Sequence, residues 1–495
     1  MKMILFLYIA AITCCNVFGQ NQNINWAFGD SAGLNFSGIY PEYFKSGIST
    51  DEACAVISSN SGQLLFYTNG LKIWDKENEI MPNGDSLIIS KSMYGESNSS
   101  TTQGATVITK PGDSNKYLII TMFQINVEGA TDSFGINYTV VDMELNDGMG
   151  DVTDKNIPFY FFEPYEKMQA VKHANGRDWW LVILQSYVGD TSLCFKSFLI
   201  TPFNISTPID QCNVPGASTP GYGGMGQMKF SQDGTRLVVT RGRYFDLYDF
   251  DRCTGELSNC ITVQASEPEY ALLYGCEFSA DGRKLYLTDH FSWTKKFLYQ
   301  YCLDCPQPIG DTKKVIYELN NMDYYLGQLQ IGPDHKIYMA HNGPANVYSE
   351  LNQNLSVVQH PEGDSASCNF DTLAISLENA RSTLALPNLP NYNLGALEGS
   401  ACDTLISVVS QPVLPELQVF PNPASNYLTI SATDETLLLA NLNAITITTL
   451  SGVVVKTIRQ PKSLTIYTGD LTAGFYLVTL TFQSGEAQNF KIIIQ

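Results

Sequence analysis

The chain has 495 residues, and its 49 acidic and 29 basic residues give a formal net charge of -20 at pH 7. That charge repels nucleic acid, and no basic stretch offsets it, which excludes nucleic acid as a primary partner. The length allows large hydrophobic cores and more than one domain. Twelve cysteines, ten of them after residue 19, are typical of an oxidising compartment.

Residues 1–19 have the pattern of a secretory signal peptide. Lys2 precedes an apolar run at residues 4–12 that is too short to span a bilayer, and small or apolar residues precede a predicted cleavage site near Gln20. No later segment approaches eighteen uninterrupted apolar residues, so no transmembrane segment is expected in the mature chain. The protein is therefore predicted to be secreted or located at the cell surface.

Residues 20–392 repeat a simple pattern in which two apolar runs are joined by a tight turn. Six copies recur at intervals of roughly 50 to 65 residues, and they occupy residues 56–67, 107–120, 171–182, 230–239, 278–287 and 331–339. Asp233-Gly234 and Asp281-Gly282 supply the positive-φ positions of tight hairpin turns. A hairpin cannot bury its apolar face alone, so the repeats are expected to stack as blades of a β-propeller.

Six repeats are visible, and a seventh blade is predicted from the two ends of this region. It would combine residues 370–388 with the strand near residues 25–29, so that pairing of the chain ends removes the exposed sheet edges. The fold class is thus all-β, with a propeller of seven blades.

The same region resembles a known group of propellers. The phrase Asn25-Trp-Ala-Phe-Gly-Asp, the run Gly62-Gln-Leu-Leu-Phe-Tyr and the later Leu386-Pro-Asn-Leu-Pro390 look like the propeller of surface proteins from gliding Bacteroidetes. The resemblance covers about residues 25–392. It implies a cell-surface protein, and many such proteins have no assigned chemistry.

Five residues fall near the ends of the second strands of successive repeats or in the loops that follow, namely Arg241, Arg243, His290, Trp293 and His341. Equivalent ends of successive blades converge on one rim. These residues are therefore predicted to line a common mouth that binds a glycan or an acidic group through cation and aromatic contacts. The competing interpretation is that they are loop residues with no ligand.

Catalytic and metal signatures are weak. No Gly-x-Ser-x-Gly elbow or His-Glu-x-x-His motif occurs, and five scattered histidines give little support for a Ser-His-Asp triad. The sequence predicts no catalytic residues, no metal and no cofactor, although structural calcium at Asp-rich turns such as Asp281-Gly282 is left open. Those turns are explained equally well by hairpin geometry.

Two cysteine pairs have spacings that allow local disulfides. Cys302 and Cys305 form a Cys-x-x-Cys pair without a second zinc pair, and Cys253 and Cys260 flank a turn-containing connection. The other six mature cysteines cannot be paired from the sequence.

Residues 393–414 are predicted to be a linker, because Gly, Ser and Pro cluster there without a strand pattern. Residues 415–495 then alternate β-branched and aromatic runs with glycines, which predicts a small Ig-like β-sandwich.

This C-terminal module resembles the type A C-terminal sorting domain that Bacteroidetes use for type IX secretion. The residues that carry the resemblance are Pro421, Asn422 and Pro423 at its entry, Gly452 in a turn, Gly474 and Tyr476 in a later run, and Lys491 before the end. The resemblance implies that the type IX secretion machinery is a partner.

The sequence therefore favours an exported propeller that works as a binding or adhesion protein with a glycan or other surface ligand. The alternative is a hydrolase or lyase that acts on extracellular polysaccharide through acidic residues near the propeller axis. Two carboxylates in a central cleft would favour the enzyme. An uncharged or aromatic mouth would favour binding.

Overall fold

A computed structural model describes fourteen stretches of the chain, and these comprise residues 21–89, 99–125, 133–185, 193–212, 214, 224–265, 272–290, 295–344, 347–403, 417–431, 438–439, 442–449, 453–482 and 487–495. The chain forms two compact units, Met1–Leu405 and Ile406–Gln495. The predicted signal peptide at residues 1–19 lies outside the described residues.

Within its described residues, the first unit contains seven antiparallel sheets, here called blades I to VII. Blades I and II have three strands each, β1 (Asn25–Phe28), β2 (Ala32–Asn35) and β3 (Glu42–Tyr43), then β4 (Ala55–Ser58), β5 (Leu64–Thr68) and β6 (Ile73–Asp75). Blades III and IV have four each, β7 (Ala105–Thr109), β8 (Lys116–Ile125), β9 (Ser133–Asp142) and β10 (Asp151–Phe161), then β11 (Pro164–Lys172), β12 (Trp179–Gln185), β13 (Cys194–Ile200) and β14 (Ile209–Cys212).

Blades V to VII repeat the four-stranded meander. Blade V has β15 (Met228–Phe230), β16 (Arg236–Arg241), β17 (Tyr244–Phe250) and β18 (Leu257–Gln264), and blade VI has β19 (Leu273–Phe278), β20 (Lys284–Asp289), β21 (Lys296–Cys302) and β22 (Lys314–Leu319). Blade VII has β23 (Tyr325–Ile331), β24 (Ile337–Asn342), β25 (Asn354–Val358) and β26 (Phe370–Ser376).

The blades form a closed ring. The first strands of successive blades pack in chain order, β4 against β7, β7 against β11, and so on to β19 against β23. Blade VII reaches blade I through a shared apolar core, where the rings of Trp26 and Tyr338 lie 5.3 Å apart. Each sheet hides its apolar faces between its neighbours, as expected for a propeller. The predicted all-β propeller is confirmed.

The repeat turns have the predicted geometry. Gly234 and Gly282 have φ values of 72° and 70°. The carboxylate of Asp233 accepts hydrogen bonds from Ser231 Oγ at 2.5 Å and from the Thr235 amide at 3.0 Å. The carboxylate of Asp281 is bound in the same way at the equivalent turn. These aspartates therefore fix the pairing register of the two strands in each hairpin.

The predicted seventh blade is confirmed in part. Residues 381–388 of the predicted range 370–388 lie beside the strand near residues 25–29, whereas residues 370–376 form β26, which pairs with β25 of blade VII. The two ends meet in one bridge, where the Asp30 amide donates to the Arg381 carbonyl at 2.9 Å.

Residues 381–392, here called the closing segment, run along the inner side of blade I. The Gln328 amide of blade VII donates to the Leu384 carbonyl at 3.0 Å, and the Asn388 amide donates to the Cys54 carbonyl beside blade II at 2.9 Å. Pro387 and Pro390 have no N–H to donate, so the segment cannot continue a ladder as a regular strand. It thus fills the place of an inner strand that blade I lacks.

The chain beyond the closing segment stays on the propeller. Residues 393–403, predicted as linker, belong to the first unit: the Leu397 amide donates to the Ala174 carbonyl at 2.7 Å, and Arg252 Nη2 donates to the Gly395 carbonyl at 2.7 Å. The cluster of Gly and Ser residues predicted irregular backbone here, but it did not show that this backbone packs against the propeller. Residues 404–414 lie outside the described ranges.

Three disulfides are present among the described cysteines. Cys302 is bonded to Cys305, and Cys194 to Cys212. The predicted pairing of Cys253 with Cys260 is wrong, because Cys253 is bonded to Cys402 and Cys260 is a free thiol. Cys402 reaches Cys253 because residues 393–403 fold back over blades IV and V.

The described residues of the second unit form two antiparallel sheets around one apolar core. The first sheet has β27 (Gln418–Phe420), β28 (Tyr427–Ser431) and the later strand β31 (Thr465–Tyr467), and the second has β29 (Leu442–Thr449), β30 (Val454–Arg459), β32 (Gly474–Phe482) and β33 (Ala487–Ile494). Alternate residues such as Ile445, Ile447, Val478 and Leu480 are buried between them. This is the predicted Ig-like sandwich.

Candidate ligand-binding clefts

The propeller has two unlike faces. The turns between the first and second strands of the blades, such as residues 231–235 and 279–283, lie on one face, here called the turn face. The opposite face is the crossover face, where the chain passes from one blade to the next.

A layer of side-chain amides closes the middle of the axis. Gln103 of blade III and the Met228 backbone of blade V bond each other twice, at 2.9 and 2.7 Å. Gln328 of blade VII donates to the Thr102 carbonyl at 2.7 Å, and Asn388 of the closing segment donates to the Ala105 and Met168 carbonyls. These amides satisfy inner-strand groups that would otherwise be buried unpaired. The side-chain amides at this depth of the axis therefore have a structural role.

Carboxylates near the axis on the crossover side belong to a buried network. Tyr274 Oη donates to Glu52 Oε1 at 2.7 Å, and Thr102 Oγ1 donates to Glu166 Oε2 at 2.8 Å. Burial and the neighbouring charge of Glu166 raise the pKa of Glu52 well above its usual value, and burial lowers the pKa of Lys167 to about 7. Both carboxyls are occupied by hydrogen bonds within the protein.

Three of the five predicted mouth residues are buried. Arg241 is 1% exposed and forms a two-point ion pair with Asp246 at 2.8 and 2.9 Å. His290 lies between the rings of Tyr274 and Tyr325, at 4.7 and 4.9 Å. These contacts replace the predicted exposure, because the ends of the second strands are covered by neighbouring strands and loops.

The other predicted mouth residues have different surroundings. His341 is fully buried, and its Nε2 lies 2.6 Å from Ser356 Oγ. Arg243 is half-buried, with its guanidinium 5.6 Å from the Tyr244 ring. Trp293 lies outside the described residues. Of the predicted mouth residues that the structure describes, only Arg243 is partly exposed.

Burial of the two histidines predicts acid sensitivity. Burial lowers the pKa of both His290 and His341 to about 4, whereas an unfolded histidine titrates near about 6.5. Between these values the unfolded chain binds more protons, so stability is lost as the pH falls from 6.5 to 4. Each histidine is expected to contribute on the order of 3 kcal/mol to that loss.

Urea unfolding of wild type and His290→Phe at pH 7 and pH 4.5 measures this effect. The variant keeps an aromatic ring between the two tyrosines, so its stability should fall by about 2 kcal/mol less than that of wild type. The exposed His360→Gln serves as the control and should fall as wild type does. Equal losses in all three proteins would contradict the assignment.

The turn face carries an open depression over the axis, here called the axial cleft. It has a volume of 270 Å³ and lies between residues 21–24 and blades V and VII. Its polar lining is dominated by carboxamides, from Asn21, Asn23, Gln232, Gln330, Asn391 and Asn393. Among the described residues of the wall, His335 is the only other side chain with a polar group, and none is a carboxylate.

The closing segment forms part of the axial cleft. Leu389, Pro390 and Asn391 lie in its wall, and Asn391 Nδ2 donates to the Gln232 carbonyl at 2.7 Å. Asn23 Nδ2 donates to the Pro390 carbonyl at 3.1 Å, whereas the buried Asn23 Oδ1 has no protein partner. Asn23 thus brings a buried acceptor without a protein partner to the side of the cleft.

A charged layer lies beneath the axial cleft. Lys229 Nζ is 3.7 Å from Glu277 Oε2, and both side chains are almost fully buried. They line a 20 Å³ cavity together with Gln330, which is enough space for one water molecule. These residues occupy equivalent positions of β15, β19 and β23, which explains their convergence on the axis. Across the described ranges, no group of three or more His, Cys, Asp or Glu side chains is placed to hold a metal ion.

The motif residues of the C-terminal unit occupy its entry and last strands. Asn422 Nδ2 donates to the Lys491 carbonyl at 3.0 Å, and the Ile493 amide donates to Asn422 Oδ1 at 2.8 Å. Pro421, Pro423 and Lys491 are exposed, whereas the Tyr476 ring is buried and its hydroxyl donates to the Thr472 carbonyl. Gly474 begins β32, and Gly452 lies outside the described part of the chain.

Comparison with known proteins identifies the second unit. The family described as "Secretion system C-terminal sorting domain" matches residues 418–495. The C-terminal unit is therefore a sorting domain of the type IX secretion system, which implies an exported protein, secreted or at the cell surface. No helix in the described residues has the length and apolar character needed to cross a membrane. A search of curated proteins finds no match.

Several solved structures are similar to the chain. The periplasmic gluconolactonase of Pseudomonas aeruginosa is 13% identical, with 79% of this chain and 89% of that chain covered and a TM-score of 0.34. The β-propeller domain of Cps50 (Swd1) from Myceliophteria thermophila is 10% identical, with 66% and 94% covered and a TM-score of 0.33. Kluyveromyces lactis Hsv2 is 9% identical, with 83% and 97% covered and a TM-score of 0.32.

Proposed function

We propose that this exported protein is a carbohydrate-binding protein of the cell surface or medium, and that the axial cleft holds its ligand. The observation that carries the proposal is the carboxamide lining of that cleft. A carboxamide offers both donors and acceptors without charge, which suits the hydroxyl groups of a sugar.

The size and the free acceptor of the cleft support this ligand class. Its 270 Å³ is slightly below the range of about 300–1,000 Å³ common for drug-sized ligands, which favours a small group such as one sugar ring. Asn23 Oδ1 is buried without a protein partner, and such a group is costly unless a ligand or water donates to it. A sugar hydroxyl is a suitable donor.

The alternative hydrolase or lyase requires different geometry. Glycoside cleavage uses two carboxyl groups on opposite sides of the scissile bond. The axial cleft has none in its wall, and Glu52 and Glu166 are occupied by Tyr274 and Thr102. The described lining of the axial cleft therefore favours the binding proposal over the hydrolase or lyase.

A glycan array probed with residues 20–495, followed by calorimetry on any hit, tests the proposal. The double variant Gln232→Ala/Asn393→Ala removes two amides of the wall and should weaken binding about tenfold. The control Asn320→Ala removes an exposed amide on the crossover face and should bind as wild type does. Failure of every glycan to bind, or unchanged affinity of the double variant, would refute the proposal.

A further inference from the structure

A second and larger depression lies beside the axial cleft on the turn face, here called the basic cleft. Its volume is 690 Å³, and its wall comes from the turns of blades II, III and IV together with Tyr392 of the closing segment. It differs from the axial cleft in charge.

The wall of the basic cleft contains three cations and one carboxylate, Lys110, Lys172, Arg177 and Asp113. Three ion-pair partners lie just outside the wall, because Asp178 binds Arg177 at 2.7 Å, Lys116 binds Asp113 at 3.2 Å and Asp142 contacts Lys116 at 3.5 Å. Together they carry one negative charge, against two net positive charges in the wall. The region therefore keeps an excess of positive charge on a protein whose net charge is -20. A local field of this sign attracts anions.

One of these cations is held in a fixed position. Lys172 is 8% exposed, and its Nζ lies 4.0 Å from the centre of the Trp179 ring and 3.4 Å from the Arg177 carbonyl. Burial lowers the pKa of Lys172 to about 8, so the side chain is still mostly cationic at pH 7. A buried cation held by a ring and one carbonyl retains capacity to bind an anion.

The wall also contains a buried acceptor without a partner. Gln22 is 5% exposed, its Nε2 donates to Asn60 Oδ1, and its Oε1 has no hydrogen-bond partner in the protein. The nearby hydroxyls of Ser59, Ser61 and Ser114 add donors and acceptors. Hydroxyl-bearing ligands satisfy such a wall better than a simple anion does.

The two clefts are adjacent at residues 21–23. Gln22 lines the basic cleft, while its neighbours Asn21 and Asn23 line the axial cleft. A ligand with several sugar rings can therefore contact both, with neutral rings over the carboxamides and an acidic ring over the cations.

We infer that the basic cleft is a subsite for an acidic sugar, and that the protein recognises a carboxylated polysaccharide. The inference rests on the proposed function for the sugar class of the ligand. The cations of the basic cleft add the requirement for an anionic group, which in this inference is a carboxylate, and its polar groups add the requirement for neighbouring hydroxyls.

Calorimetry with three probes tests the inference on residues 20–495. The probes are an oligogalacturonate, a neutral oligosaccharide of equal length and a sulfated oligosaccharide of equal charge. The oligogalacturonate should bind at least about tenfold more tightly than the neutral probe in 50 mM NaCl and should lose most of this advantage in 300 mM NaCl.

Two variants locate the effect. Lys110→Gln should weaken oligogalacturonate binding about tenfold and leave neutral binding unchanged, which also reports that the variant is folded. Lys295→Gln removes the same charge on the crossover face, where Lys295 pairs with Glu318, and should bind all probes as wild type does.

The outcomes separate the two proposals. Neutral binding without any advantage for the oligogalacturonate would overturn the acidic subsite and leave the proposed function standing. Equal or tighter binding of the sulfated probe would overturn the preference for carboxylate. Absence of binding by every probe would count against the proposed function and this inference together.

Discussion

A chain that ends after residue 403 is expected to fold as a propeller and to remain in the periplasm. Everything that closes the ring precedes this point, including the closing segment and the disulfide between Cys253 and Cys402. The sorting domain at residues 418–495 is lost, and with it the signal for type IX export. Cell fractionation and thermal unfolding of the recovered protein measure the two halves of the expectation.

The matched experiment transfers the sorting domain to another protein. Residues 404–495 fused to an unrelated periplasmic protein should be exported by a type IX-competent host, because they include the whole second unit and the matched sorting domain at residues 418–495. Appearance of the chain ending at residue 403 in the medium, without lysis, would show that export does not depend on the sorting domain.

Local patterns predicted the architecture well where each element carries its own signal. The Asp-Gly turns at Asp233 and Asp281 fix the register of their hairpins through contacts within a few residues, so their geometry follows from the sequence. The alternating strands of the C-terminal unit likewise bury one face each. Such features need no knowledge of distant residues.

Ring closure by the two ends of the propeller region was predicted, but the path of the closing segment along the axis and the two clefts depend on distant contacts and were not. Asn388 bonds backbone groups of Ala105 and Met168, far away in the chain, and nothing local in Leu-Pro-Asn-Leu-Pro distinguishes an axial segment from a loop. Cys402 likewise pairs across 149 residues, whereas spacing favoured the nearer Cys260.

The structure places the candidate site on the face opposite to the predicted one, and the reason is related. Counting along the repeat correctly placed Arg241, His290 and His341 at equivalent strand ends, but it carried no information on what covers them. The carboxamides around Asn23 and Asn391 are brought together only by ring closure. Their abundance near the two ends of the propeller region was the available signal.

A chain that ends after residue 380 is expected not to fold, in contrast to the chain that ends after residue 403. Leu386, Leu389 and Tyr392 of the closing segment are at most 6% exposed. At about 1.5–3 kcal/mol for each large buried side chain, their loss removes about 5–9 kcal/mol, against about 5–15 kcal/mol for the whole stability of a domain. Lost partners for the amides at the axis add to this deficit.

Residues 20–380 and 20–403, both produced in the periplasm, provide the comparison. The longer chain should be soluble, resist protease and unfold cooperatively, and the shorter chain should do none of these. A third protein, residues 20–403 with Cys402→Ser, separates packing from the covalent link. It should stay folded at a lower melting temperature, since the closing segment still fills the inner position of blade I. Cooperative unfolding of residues 20–380 within a few degrees of the longer chain would mean that the ring closes without this segment. The axial cleft would then lose the wall formed by Leu389, Pro390 and Asn391 without loss of the fold, so the same truncation would test directly whether the ligand depends on them.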